Sequence, residues 1–449
     1  MAQIFRRKIY QKMLDWKRIS DGKSALLIQG ARRIGKSTIV EEFARREYKD
    51  YLIIDFSTAE PIITELFNHI SNIDTFFFEL QTVIGRTLPR RESVIVFDEV
   101  QMCPKARQAI KHLVNDGRYD YIETGSLISI SKNIKGIVIP SEETCISMYP
   151  LDFEEFLWAI GKEATFEYIV DCFNKLKPLG DAVHRAIMRD FRLYMLVGGM
   201  PQAVVSYIES NDFAVVDQTK RNILNLYSFD FRRIDPKGRA TTLFNSIPGE
   251  LSHNSSRYKV SNVISGARPS RMGEIFADIA DSMAVNFAYH ADDPNVGFAL
   301  HADYNYFKMY LADTGLFITL AFKDRDYTDN EIYRKLLFDK LPTDLGYIYE
   351  NVVAQMLKAA GHSLFYHTFS IQASDTSRPT NYELDFLITH RDKICPIEVK
   401  SSNYKAHKSL DLFVQKHHSR IGQSYLLYTK DLDRKQNTVY LPVYMAGLL

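Results

Sequence analysis

One stretch near the start limits the fold more than any other: SALLIQGARRIGKSTIVEEFARRE, residues 24–47. A short apolar run, Ala25 to Ile28, leads into Gly30-Ala31-Arg32-Arg33-Ile34-Gly35-Lys36-Ser37, which fits G-x-x-x-x-G-K-[ST]. Ile39, Val40, Phe43 and Ala44 then recur at helical spacing. Strand, glycine loop and helix in that order is the setting in which such a loop holds phosphate. The glycines let backbone N–H groups turn inward, and the helix N-terminus adds partial positive charge. Lys36 is expected to reach the β- and γ-phosphates, and Ser37 to place its hydroxyl on Mg²⁺. The expected nucleotide-contacting run is Gly30 through Thr38, and the expected cofactors are ATP and Mg²⁺.

A second stretch, ESVIVFDEVQMCP, closes an apolar run, Val94 to Phe97, with Asp98-Glu99. Continuous apolarity suits a parallel strand buried on both faces, and ligands gather at the carboxyl ends of such strands. Asp98 is placed to hold Mg²⁺ through water, and Glu99 to polarise the attacking water. A third run, RYDYIETGSLISI, ends in Thr124-Gly125-Ser126. A hydroxyl there can sense the γ-phosphate; Ser126 is the first candidate and Thr124 the second.

These motifs, with DEVQMCP, TGS, YPLDFEEFL and GGMPQAV, resemble a family of prokaryotic AAA-type ATPases. In that family the P-loop domain precedes a C-terminal region called DUF4143. MYLADTGL at 309–316 and GYIYENVVAQML at 346–357 are similar to that later region. The resemblance implies an α/β chain: a P-loop NTPase parallel sheet with a helical lid, a winged-helix-like domain, and a small α/β restriction-endonuclease-like domain.

The pattern along the chain predicts four segments: an ATPase core at 1–180, the lid at 181–239, the winged-helix-like part at 240–330 and the nuclease-like part at 340–449. A length of 449 residues suits that many, since such chains divide into roughly two to four domains. In the lid region, Arg232 and Arg233 are candidates to reach a γ-phosphate, in cis or from a neighbouring subunit of a homo-oligomer. Arg257, Lys259, Arg268 and Arg271 give local positive charge suited to DNA phosphates. The net charge of +1 argues neither way about nucleic acid. MAQIFRRKIYQKMLDWK has no apolar signal region, and no stretch nears a membrane span. Four scattered cysteines form no C-x-x-C pair. The expectation is a cytoplasmic protein with no membrane partner and reduced thiols.

The tail reads YELDFLITHRDKICPIEVKSS at 382–402, two strands around a turn at Arg391-Asp392. Asp385 with Glu398-Val399-Lys400 fits D-x(n)-E-x-K and resembles the PD-(D/E)XK nuclease superfamily, although Leu384 stands where a proline is usual. Glu398 and Lys400 share a strand face. Asp385 and Glu398 are candidates to hold Mg²⁺, with Glu350 as a third acid, and Lys400 to position water or stabilise phosphorane charge. Glu383 is expected on the face opposite Asp385. The alternative is an amphipathic hairpin with solvated charges.

Three functions compete: an ATPase that drives or gates DNA processing by its own tail, a nucleotide-dependent switch whose tail only docks, and a DNA-binding regulator that merely binds ATP. Glu99 argues against the third, because binding alone needs no base. The intact set Asp385, Glu398 and Lys400 favours the first.

Overall fold

Five strands of the N-terminal third pair side by side: β1 (Ala25–Gln29), β2 (Asp50–Asp55), β3 (Ser93–Asp98), β4 (Asp120–Gly125) and β5 (Glu143–Ser147). All pairs are parallel, in the order β2-β3-β4-β1-β5. β3 is buried at every position, as an apolar strand covered on both faces requires. One face packs an edge-to-face aromatic cluster of Phe56, Phe67, Phe76, Phe77, Phe97 and Tyr119. With β4 between β1 and β3, the carboxyl ends carrying Gly30, Asp98 and Thr124 become neighbours. This is the parallel α/β sheet of P-loop NTPases.

The computed structural model describes residues 4–126, 140–253, 255–323, 334, 336–338, 346–372, 379–402, 404 and 407–449. The expected strand end LISI at 127–130, most of the stretch 322–346 and most of the loop IQASDTSRPTN lie outside them. The chain divides into two units, residues 1–149 with 281–283, and residues 150–280 with 284–449. The expected core boundary at 180 therefore moves to 149. The cause is visible at YPLDFEEFL. Leu151 N–H donates to Gly199 O at 2.7 Å, and Asp152 with Glu155 forms a capping box on the helix Phe153–Ala159. Phe153 then packs edge-on against Phe191, with ring centroids 5.1 Å apart.

The helices of the expected lid are core of the second unit rather than a separate module. Lys220 is fully buried, and its ammonium donates to Leu196 O at 2.6 Å and Gly315 O at 3.1 Å. Gly199 touches Leu151 so closely that a Cβ would stand 2.1 Å from Leu151 O. Gly199→Ala is expected to destabilise this unit on the order of 3 kcal/mol, because backbone meets backbone and neither side can swing away. Thermal unfolding checks this; a parental melting temperature would contradict it.

The second unit has an eight-stranded mixed sheet in the order β12-β13-β11-β10-β9-β8-β6-β7. Its strands are β6 (Val285–Ala291), β7 (Ala302–Leu311), β8 (Leu364–Ile371), β9 (Thr380–His390), β10 (Lys393–Lys400), β11 (Ser424–Tyr428), β12 (Asp433–Lys435) and β13 (Thr438–Pro442). The helices Arg239–Ser252, Val260–Val263 and Gly273–Asp281 precede the β6–β7 hairpin that the sequence reads as a wing. The hairpin is no free wing, however: β6 pairs in parallel with β8, so the segments 240–330 and 340–449 build one sheet. The helix Gly346–Ala359 locks the two together. Asn351 accepts from Leu311 N–H at 2.8 Å, and Gln355 accepts from Thr314 N–H at 2.8 Å while donating to Tyr194 OH at 2.8 Å.

Candidate functional site

In the first unit, Gly35 takes a left-handed φ of 92° just before the helix Lys36–Glu47. Gly30 lies so close to Met148 that a Cβ would sit 2.5 Å from its carbonyl oxygen. Lys36 is only 6% exposed. Its ammonium donates to Gly30 O at 3.0 Å and Ala31 O at 2.9 Å, closing the loop on itself. Burial pulls its pKa down to about 8, against the opposing pull of Glu99 and Asp98. Ala31 and Ile34 are buried beneath the loop, whereas Arg32, Arg33, Ser37 and Thr38 face outward.

Asp98 is the hub of the acidic end. Its Oδ1 accepts from Ser37 Oγ at 3.0 Å and also from the Thr124 hydroxyl. Thr124 Oγ1 in turn accepts from Glu99 N–H at 3.3 Å. Thr124, the second candidate, is the hydroxyl that meets Asp98 and Glu99, while Ser126, the first, lies one residue past the end of β4. Thr124 and Ser126 share parity, so the strand period does not separate them; what does is that β4 ends at Gly125, with Thr124 inside the strand and Ser126 beyond it. Glu99 stands at a left-handed φ of 53°, and its Oε2 accepts from the Gln101 amide. Arg7 braces the loop from the N-terminal segment, donating to Ile34 O at 2.9 Å and Tyr149 O at 2.6 Å. Nothing in the pattern around Arg7 singled it out.

In the second unit, a cleft of about 500 Å³ is lined by Lys308, Glu350, Glu383, Asp385, Glu398 and Lys400 among others. The four expected residues are therefore brought together. Glu398 is 3% exposed; its Oε1 pairs with Lys400 Nζ at 2.7 Å, and its Oε2 is buried without a partner. Asp385 Oδ2 accepts from Val399 N–H at 2.7 Å, which ties β9 to β10 beside the site. The pairing of β8 with β9 shifts register here, between Phe365↔Leu387 and His367↔Leu384, a local irregularity of the kind that re-aims side chains.

Glu383 lines the same cleft as Asp385, not the opposite face. Two residues apart on a strand is one full side-chain period, so the shared face is what the geometry dictates. Lys308 on β7 was not foreseen. It is 5% exposed, pairs with Glu383, and lies 3.8 Å from Glu350 Oε2. Burial lowers its pKa, but Tyr310, Glu383, Glu350 and Asp385 together outweigh burial and hold it above the usual lysine range. Glu350 and Glu398 are raised, chiefly by burial; Lys308 and Lys400 oppose this for Glu350 and Lys400 alone for Glu398, while Asp385 adds to it for both. Among the described residues, no three His, Cys, Asp or Glu side chains form a metal-holding group. The trio Glu350, Asp385 and Glu398 is not gathered as ligands; Lys308 lies against Glu350, and Lys400 pairs with Glu398. The fit for a divalent cation is narrower: Asp385 beside the unpartnered Glu398 Oε2.

Arg232 and Arg233 are exposed on the last turn of the helix Phe213–Ile234. The expected recognition helix, Gly273–Asp281, carries Glu274, Asp278 and Asp281 and no base. Arg257, Lys259, Arg268 and Arg271 all precede it, and Arg257 stacks over the Tyr306 ring at 4.0 Å. Among the described residues, no helix is long and apolar enough to cross a membrane.

Residues 22–157 match the family described as AAA domain. Residues 188–327 match a domain of unknown function, DUF8612, and residues 345–445 match a domain of unknown function, DUF4143. MYLADTGL at 309–316 thus falls in the second match and not, as expected, in DUF4143. An uncharacterized protein of Haemophilus influenzae is 23% identical over 188 residues, 40% of this chain and 44% of that protein. The chain spans less than half the length of this curated relative. Among solved structures, the Walker-type ATPase PABY2304 of Pyrococcus abyssi is 16% identical, covering 71% of this chain and 96% of that one with a TM-score of 0.41. The Thermotoga maritima RuvB Holliday junction branch migration motor is 13% identical, covering 65% and 90% with a TM-score of 0.28. Neither likeness bears on function. The first unit carries an AAA-type P-loop ATPase domain.

Proposed function

We propose that this chain hydrolyses ATP at the first unit and that its second unit is a restriction-endonuclease-like module whose cleft binds and processes DNA. The observation that carries the reading is the single cleft lined by Glu350, Asp385, Glu398 and Lys400, with Glu398 Oε2 buried and unpartnered. At the ATP site, Lys36 exchanges the carbonyls of Gly30 and Ala31 for phosphate oxygens. Asp98, with Ser37, would hold the Mg²⁺ that accompanies the nucleotide, and Glu99 would take a proton from the attacking water.

In the cleft, Asp385 and Glu398 would hold Mg²⁺. When bound, such an ion neutralises phosphodiester charge and makes water a better nucleophile. Lys400 keeps Glu398 oriented and presents its ammonium to the phosphate being attacked. A second reading, a nucleotide-dependent switch with a docking tail, is favoured by one fact: among the described residues no three acids gather as metal ligands.

The test is ATP turnover of the full chain with and without single-stranded, duplex and branched DNA, with Mn²⁺-dependent cutting followed in the same samples. Stimulation of turnover by one DNA form, with cutting, is the expected result. Turnover indifferent to every form, with neither binding nor cutting, would remove DNA from the reading and leave the switch.

A further inference from the structure

We propose that Lys308 stands permanently in the place of a second divalent cation, so that the cleft holds one cation only, on Asp385 and Glu398. The inference rests on the metal-dependent reading above. Four carboxylates line the cleft, from Glu350, Glu383, Asp385 and Glu398, and two ammonium groups face them, Lys308 and Lys400. The acids fall into two sets. Glu383 is ion-paired to Lys308, and Glu350 Oε2 lies 3.8 Å from the same ammonium and 3.4 Å from Tyr310 OH. Glu398 gives one oxygen to Lys400 and leaves the other unpartnered. Asp385 is fixed by the Val399 N–H.

A cation at Asp385 and Glu398 therefore meets a waiting buried oxygen. A cation between Glu350 and Glu383 meets a tethered ammonium instead. Removing that ammonium would strand a buried charge, and close like charges cost more than an occupied pair returns. Lys308 sits on β7, within the 188–327 match, while the acids belong to the 345–445 match. The cleft is thus completed by a strand that the tail alone does not contain.

The experiment counts Mn²⁺ bound to nucleotide-free full-length chain carrying Lys36→Ala, by calorimetry and by the spin-resonance signal of free Mn²⁺. The count for the Lys36→Ala chain that keeps Lys308 and carries Glu398→Gln is the background subtracted from both, which assigns the remaining ions to the cleft. One cleft ion is expected in the parent and two in Lys308→Met. The Mn²⁺-induced rise in melting temperature should also be larger in Lys308→Met, where metal replaces the missing charge. One ion and an unchanged rise in Lys308→Met would overturn the inference while leaving the metal reading intact. No cleft ion in the parent would overturn the metal reading and this inference with it. If Lys308→Met does not fold, anomalous scattering from Mn²⁺-soaked crystals of the parent decides: one peak between Asp385 and Glu398 supports the inference, and a second peak at Glu350 and Glu383 overturns it.

Discussion

Glu99→Gln is expected to slow ATP turnover by about 10²-fold or more while nucleotide binding stays at the parental level. The substitution keeps the shape of the side chain and removes its basicity. Its backbone stands at a left-handed φ of 53° in the turn after β3, a conformation open to glutamine as much as to glutamate. The Gln101 amide that donates to Glu99 Oε2 can donate equally to an amide oxygen. Asp98 keeps both its hydroxyl donors, Ser37 and Thr124. Lys36→Ala is the companion: it removes the ammonium that closes on the loop, and with it useful nucleotide binding. A fluorescent nucleotide reports binding, and phosphate release reports turnover. Normal hydrolysis by Glu99→Gln would move the role of base to another group.

That site was legible because its parts are local in sequence. The loop 30–37 and the acids 98–99 each announce themselves within a dozen residues, and a parallel sheet brings strand ends together whatever the details of packing. The choice between Thr124 and Ser126 was not legible, since it depends on how far β4 runs before the chain turns away. In the cleft, the strand period located Glu398 with Lys400, and the same period, applied to Glu383 and Asp385, gives the shared face that the structure has. Lys308 escaped because its partner Glu383 is 75 residues away. A signal was present nonetheless: a lone lysine inside the apolar run FKMYL of β7 has to be paired if that strand is buried.

The motifs GGMPQ and PLDFEEF were legible as patterns but silent about role. Their work is structural: Gly199 admits the Leu151 backbone, and Asp152 caps a helix. Asp-x-x-Glu before an apolar run is a capping-box signature, so this part was within reach of the sequence. The domain boundary was not, because the partners of residues 151–153 lie at 191–199, beyond a long intervening segment.

Asp385→Asn and Lys400→Ala, each in the full chain, are expected to lower Mn²⁺-dependent cutting of DNA on the order of 10²–10³-fold. The two should differ in stability, and the difference separates a metal site from a solvated hairpin. Glu398 is raised by burial first and by the Asp385 charge second. A carboxyl raised in the folded state binds its proton more tightly than in the unfolded chain. Its favourable contribution is complete below the unfolded value and is lost as pH rises through the folded one. Without metal, then, stability of the parent falls as pH climbs above the ordinary carboxylate range, and Mn²⁺ affinity climbs with it, because the ion needs the charged form. Asp385→Asn removes the repulsion while the amide oxygen still accepts from Val399 N–H. It should flatten the metal-free fall in melting temperature with pH and abolish the Mn²⁺-induced rise. Lys400→Ala leaves Glu398 Oε1 without its cation, so it should steepen the fall and retain the Mn²⁺-induced rise. Melting curves across pH, with and without Mn²⁺, read both effects. Identical curves for the parent and both variants would mean that the cleft acids do not act together, and the cation site would have to be given up.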